Sequence, residues 1–152
     1  MSRKKARIGA MQALFSMDIN NDFSMDSLNL FMENNHFLGD EVDYINRVVP
    51  DILKNLETVD ETIEKNLKGW TMARLAKVDR QILRIAVYEF LFKDDIPPEV
   101  SINEAVDIAR QYSSDDAPKF INGILGTFVI AYGSFYKNKF YIIFLALMNH
   151  FI

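Results

Sequence analysis

Residues 78–92, VDRQILRIAVYEFLF, are apolar on nearly every side when wound as an α-helix. A surface helix needs only one apolar stripe, so a segment like this requires several other helices around it. That requirement directs the chain towards an assembly of helices about a central one, and the flanking sequence supplies the partners. Nearly every other segment repeats its apolar residues at steps of three and four, and none alternates as a strand would. At 152 residues the chain can enclose such a core as one domain.

The period predicts a first helix over 3–18, with Ala6, Ala10, Ala13, Leu14 and Met17 on one side. Its small alanines suit close approach to a neighbour. Asn20, Asn21 and Asp22 break it, and a short helix follows over 24–33. A third, over 40–57, carries the cleanest stripe (Val42, Ile45, Val49, Ile52, Leu53, Leu56), with Pro50 expected to kink or split it. Thr58 with Glu61, and Ser101 with Glu104, have the spacing of capping boxes. Lys68-Gly69 ends the fourth helix, and Trp70 precedes a short one. Asp116 ahead of Pro118 looks like an acidic cap with proline in the first turn. Gly123 inside that last helix costs about 1 kcal/mol against alanine, which tight helix packing would explain.

The segment 134–152, SFYKNKFYIIFLALMNHFI, is an atypical apolar tail. A membrane span needs about 20 consecutive apolar residues, and the run from Phe140 is shorter, so no membrane partner is expected. The tail suits an extra helix on the body or on a partner, and leaves a homodimer open.

Composition excludes several chemistries. Cysteine is absent, and His36 and His150 are the only histidines, so neither a metal nor a cofactor is expected. Asp94-Asp95 and Asp115-Asp116 are adjacent carboxylates in turns rather than a pair across a cleft, and no phosphate loop or nucleophile elbow occurs. An enzyme is not indicated. The net charge of −4 argues against a general polyanion binder, so any nucleic-acid contact must come from a local basic patch. Arg3, Lys4, Lys5 and Arg7 lead into a mixed helix without a signal-peptide core, which makes the cytoplasm the default location.

Two places could supply such a patch. Lys4, Arg7, Ile8, Met11 and Phe15 share the first-helix face opposite the alanines. Cations beside an aromatic ring suit single-stranded RNA, although from the residues alone Ile8 and Phe15 read more readily as core, with the basic residues a solvated start. Lys119 sits in a helix first turn, against the dipole, where a phosphate or Asp115 or Asp116 would help. Phe120 beside it is either core or a stacking platform. Glu89, on the buried helix, needs a partner. Arg80 and Arg84, four apart, repel unless paired.

Three blocks, in order, carry a resemblance. KARIGAMQALF (5–15) is similar to the R-A-R-x-x-A-x-Q-A-L-Y opening of the NusB family of bacterial transcription antitermination factors. WTMARLAKVDRQILRIAVYEF (70–90) resembles that family's W-x-x-x-R-L-x-x-V-D-R-x-I-L-R-I-A-x-Y-E-L. PPEVSINEAV and KFINGIL, within 97–125, resemble its P-x-x-V-x-I-N-E-A-V and K-F-V-N-G-V-L. The likeness spans about 3–132.

The resemblance implies an all-α, NusB-like fold of about seven helices in two packed three-helix bundles. These would cover about 3–57 and 58–133 of a single domain, 1–133. It implies RNA contacts from the basic opening (Arg3, Lys4, Lys5, Arg7), the first-helix aromatic Phe15, and Asp116 and Phe120, with Lys119 between them. Phe15 stands where the family usually has tyrosine, so stacking survives without a phenolic hydrogen bond. It places Asp79 and its neighbours Arg80 and Arg84 towards the ribosomal protein NusE. The function implied is recognition, with NusE, of single-stranded boxA-type RNA in ribosomal RNA leaders, and loading of the antitermination complex on RNA polymerase. The thin basic cluster keeps a second reading open, a helical protein-interaction module without RNA binding. A relic of the NusB-like domain fused to some RNA methyltransferases is a third, but no room remains for a cofactor domain.

Overall fold

The computed structural model describes residues 3–133. The apolar tail 134–152, with the helix expected there, lies outside the described residues. Within them the chain is helical throughout: α1 (Arg3–Ile19), α2 (Met25–Glu33), α3 (Gly39–Lys54), α4 (Leu56–Lys65), α5 (Lys77–Phe92), α6 (Pro98–Tyr112) and α7 (Ala117–Phe128). A 3₁₀ turn at Met72–Arg74 precedes α5, and a π-helical turn at Val129–Gly133 follows α7.

The all-round apolar segment is the hub. Residues 81–90 of α5 are all buried, and α5 packs against α1, α3, α4, α6 and α7. The other principal contacts run from α1 to α2 and α3 and from α6 to α7. A single buried cluster results, from Leu14 and Met17 through Ile45, Ile52, Leu83 and Tyr88 to Ile121, Leu125 and Phe128. Each such side chain stabilises the fold by about 1.5–3 kcal/mol through burial. The predicted small stripe of α1 (Ala6, Ala10, Ala13, Leu14, Met17) is fully buried. Its tightest approach is at Gly9, where a Cβ would lie 2.6 Å from Ile45 Cδ1 and 2.9 Å from Phe37 Cε1.

Helix boundaries depart from the sequence expectations at four points. Pro50 neither splits α3 nor ends it. The carbonyl its missing N–H leaves unbonded belongs to exposed Asn46, where water can satisfy it. The break falls instead at Asn55, whose Nδ2 donates to the Asp51 carbonyl at 2.8 Å. Because α4 then starts at Leu56, Thr58 lies inside the helix and caps nothing. Likewise α6 starts at Pro98, with proline at the position where no N–H is missed. Ser101 is thus buried within the helix, and its Oγ donates to Glu89 Oε1 at 2.7 Å. Asp116 does stand at the N-cap of α7, but its side chain makes no capping hydrogen bond. Ser24 is a working cap: its Oγ accepts from the Ser27 N–H at 3.2 Å.

Candidate nucleic-acid interface

The first helix turns its cations in different directions. Lys4 points at α6, where Nζ lies 3.2 Å from Asp107 Oδ2. The other Asp107 oxygen takes Arg110 NH1 at 2.8 Å. Asp107, Arg110, Asn103, Asp115, Lys119 and Asn122 line a polar groove of about 690 Å³ between α6 and α7. The start of the chain and the first turn of α7 therefore border one surface, joined through Asp107.

Lys119 also borders a second groove, of about 540 Å³, on the opposite flank of α7. Lys68, Trp70, Asp116, Phe120 and Gly123 line it. Trp70 is half exposed, at 51%, and meets Phe120 edge-on with ring centroids 6.4 Å apart. The Arg74 guanidinium lies 5.6 Å from the Trp70 ring centre, a cation–π contact. Phe120 is half buried against the core, so it is partly a packing residue as well as a groove wall. Gly123 is not explained by tight packing, since a Cβ there would meet nothing within 4 Å.

Arg7 requires a correction. Rather than facing solvent, it is 3% exposed, with Nε 2.8 Å from Glu89 Oε2 and NH2 3.0 Å from Glu89 Oε1. Burial disfavours its charge, but the hydrogen bonds it donates to Glu89 and the Glu89 field outweigh that and hold the guanidinium above its ordinary range. Glu89 has thereby found the partner its burial demanded. Arg7 is closed to a phosphate because the apolar surface of α5 and α6 covers it. Its neighbours diverge: Arg3 is exposed beside a cleft it shares with Tyr44 and Arg47 of α3, and Lys5 is exposed. Phe15 is half buried, about 16 Å along the helix axis from Lys4.

The residues expected to face a protein partner are also knitted inwards. Asp79 is 7% exposed and Arg84 5%. Asp79 accepts from Ser113 Oγ, tying the start of α5 to the end of α6. Arg84 grips Asp60 of α4 through two hydrogen bonds, both 2.9 Å. Arg80 NH1 and Gln81 Nε2 both donate to Asp18 of α1, at 3.0 and 2.6 Å. The Asp18 carboxylate that both share offsets the repulsion between Arg80 and Arg84, and all three residues hold helices together.

The structure thus gathers Asp116, Lys119 and Phe120 along α7, brings Lys4 to Asp107 of α6 on the neighbouring groove, and leaves Arg7, Asp79 and Arg84 buried and Arg80 partly so. It adds Arg110, Trp70 and Arg74. The signal for the last two was a tryptophan just past Lys68-Gly69 with an arginine four residues on.

These features define a class: an all-helical protein with two grooves flanking one helix, α7. The NusB family model matches residues 4–129. Transcription antitermination protein NusB of Clostridium novyi (strain NT) is 44% identical over 133 residues, 86% of this chain and 100% of that one. Solved T. maritima NusB is 35% identical, with a TM-score of 0.74 over 84% of this chain and 89% of that one. The crystal structure of antitermination factors NusB and NusE in complex with dsRNA matches with a TM-score of 0.75 at 29% identity, covering 87% and 100%. The chain belongs to the NusB family, whose members are transcription antitermination factors rather than enzymes.

Proposed function

We propose that the chain binds single-stranded boxA-type RNA of ribosomal RNA leaders across α7, together with a NusE-type ribosomal protein. The bound pair then helps load the antitermination complex on RNA polymerase in the cytoplasm. One observation carries this reading: the Lys4–Asp107–Arg110 chain, with contacts at 3.2 and 2.8 Å, joins the basic start of α1 to the groove that holds Lys119. A solved relative with NusE and dsRNA supports the choice of partners. The exposed aromatic groove favours unpaired bases over a duplex, because bases already stacked in a helix offer no free face.

The available cations are few, and Asp107 already neutralises part of their charge. Affinity for RNA alone is therefore modest, and with about three phosphate contacts log K falls with log salt at a slope near −2. Assembly proceeds by linked binding, in which RNA and protein partner raise each other's affinity by one factor. Titrating a single-stranded boxA 12-mer and its duplex at two salt concentrations, with and without the ribosomal protein, tests the proposal. Binding of neither RNA in any of these mixtures would leave the second reading, a protein-interaction module, which the overall charge of −4 favours. Self-association through the apolar tail would appear in light scattering of the full and truncated chains.

A further inference from the structure

We propose that residues 140–148, FYIIFLALM, fold back on one end of the α5, α6 and α7 group and cover Phe92, Val100 and Ile130, while Lys137 and Lys139 meet Asp95 and Glu99. The occupant of this surface is a segment of the same chain. The inference stands whether or not RNA is the ligand at the start of α7.

Topology gathers the surface. Helix α6 packs on α5 after the short connection 93–97, and α7 packs on α6 after 113–116. Helices joined so tightly and packed together run antiparallel, so the end of α5, the start of α6 and the end of α7 lie together. The Phe90 and Phe128 rings, stacked with centroids 5.2 Å apart, hold the last turn of α5 against that of α7. Two positions beyond each ring stands an exposed apolar residue, Phe92 at 41% and Ile130 at 87%. Val100, in the first turn of α6, is 39% exposed.

The described residues stop at this same end, at Gly133, and the sequence continues to an uncharged apolar run over 140–148. The intervening residues 134–139 reach about 20 Å when extended, twice the roughly 10 Å between packed helix axes. Closing so short a tether costs less entropy than capturing a second molecule. The other exposed apolar group, Ile19, Met25, Leu30 and Leu38, belongs to the N-terminal helices, where α2 is held chiefly by α1. Charge agrees with the nearer surface. Residues 134–152 carry two lysines and no acid, whereas Asp95 and Glu99 are exposed beside the α5–α6 connection. The lysine of that connection, Lys93, lies over the Tyr88 ring at 5.9 Å. Lys119 stands about 14 Å along the axis from Phe128, so docking here leaves the start of α7 open.

The chain has no cysteine, so one introduced cysteine carries a spin label to a chosen place. In the isotope-labelled full chain, a label at Asn103→Cys, one turn along α6 from Val100, should broaden the amide signals of 140–148. A label at Asn29→Cys on α2 should leave them sharp. Isotope-labelled parent mixed with spin-labelled Asn103→Cys chain lacking the isotope should also keep them sharp. Broadening in that mixture assigns the surface to a second copy and overturns the proposal, as does broadening from Asn29→Cys or from neither position. Stability gives a second readout. A residue left 87% exposed tolerates serine without a shift, whereas beneath a docked segment Ile130→Ser should lower the melting temperature by about 3–6 °C. Phe144→Ser should do likewise, and the double variant should fall short of the sum. An unshifted Ile130→Ser chain, or additive losses, overturns the docking.

Discussion

Arg7 of α1 and Glu89 of α5 form a buried two-pronged ion pair, with contacts of 2.8 and 3.0 Å, 82 positions apart in the chain. Ser101 donates a further hydrogen bond to the same carboxylate at 2.7 Å, and Glu104 stands 4.0 Å from the guanidinium. The charges that a reader of the sequence would assign to a ligand instead fasten α1 to α5 and α6.

Removing one partner of such a pair strands the other in a dry site. Arg7→Ala and Glu89→Ala should each lower stability by about 3–5 kcal/mol, measured by urea unfolding. The double variant Arg7→Ala with Glu89→Ala should lose less than the two singles summed. Additive losses would show that the pair is not coupled.

Lys4 should behave in the opposite way. Its contact with Asp107 is between side chains 44% and 41% exposed, and such pairs stabilise by no more than about 1 kcal/mol. Lys4→Glu, alone or with Lys119→Glu, should leave the urea midpoint nearly unchanged and weaken boxA RNA severalfold at low salt. The salt slope should become shallower by about 0.7 for each lost phosphate contact. Equal affinity for variant and parent would remove the α7 surface from RNA recognition.

Two helical glycines should respond to alanine with opposite signs. At Gly9 the new Cβ would press on Ile45 and Phe37 at 2.6 and 2.9 Å. Gly9→Ala should therefore destabilise by about 1–3 kcal/mol. Gly123→Ala meets open space and should stabilise by about 1 kcal/mol through helix propensity. Thermal melting of the pair decides the matter, and shifts of the same sign would contradict the packing described.

Alkaline titration should separate the tyrosines. Burial, then the field of Glu89, raises the Tyr44 phenol above its ordinary value. Burial, then the hydrogen bond to Asp51, does the same for Tyr88. A folded value above the unfolded one means the stabilisation is whole below about pH 10 and is lost as pH rises towards the folded values. Absorbance at alkaline pH should show these two tyrosines ionising last, together with unfolding. Six tyrosines titrating as one class with the fold intact would refute the burial of Tyr44 and Tyr88.

Helix content was legible from the sequence, as was the central position of α5. The alanine stripe of α1 and the need of Glu89 for a partner could be read in the same way. Each follows from a period or a burial cost that local spacing carries. Helix starts were less legible: Thr58 and Ser101 sit in capping-box spacing, but α4 and α6 had already begun upstream at Leu56 and Pro98. A cap motif competes with tertiary contacts, and Ser101 is bound to Glu89 instead.

The sequence by itself determined that this chain is a helical NusB-family protein with a few cations near its start and a phenylalanine, Phe120, beside Lys119 in its last helix. Only the tertiary structure decided that Arg7 is interred while Lys4, three positions earlier, reaches Asp107 of α6. It also decided that Asp79, Arg80 and Arg84 are internal ties, and that Trp70 and Phe120 wall one groove. The physical reason is range. Helical period is set by neighbours within a turn or two, whereas the partner of a charge is chosen by packing between distant helices, as with Lys4 and Asp107, 103 positions apart.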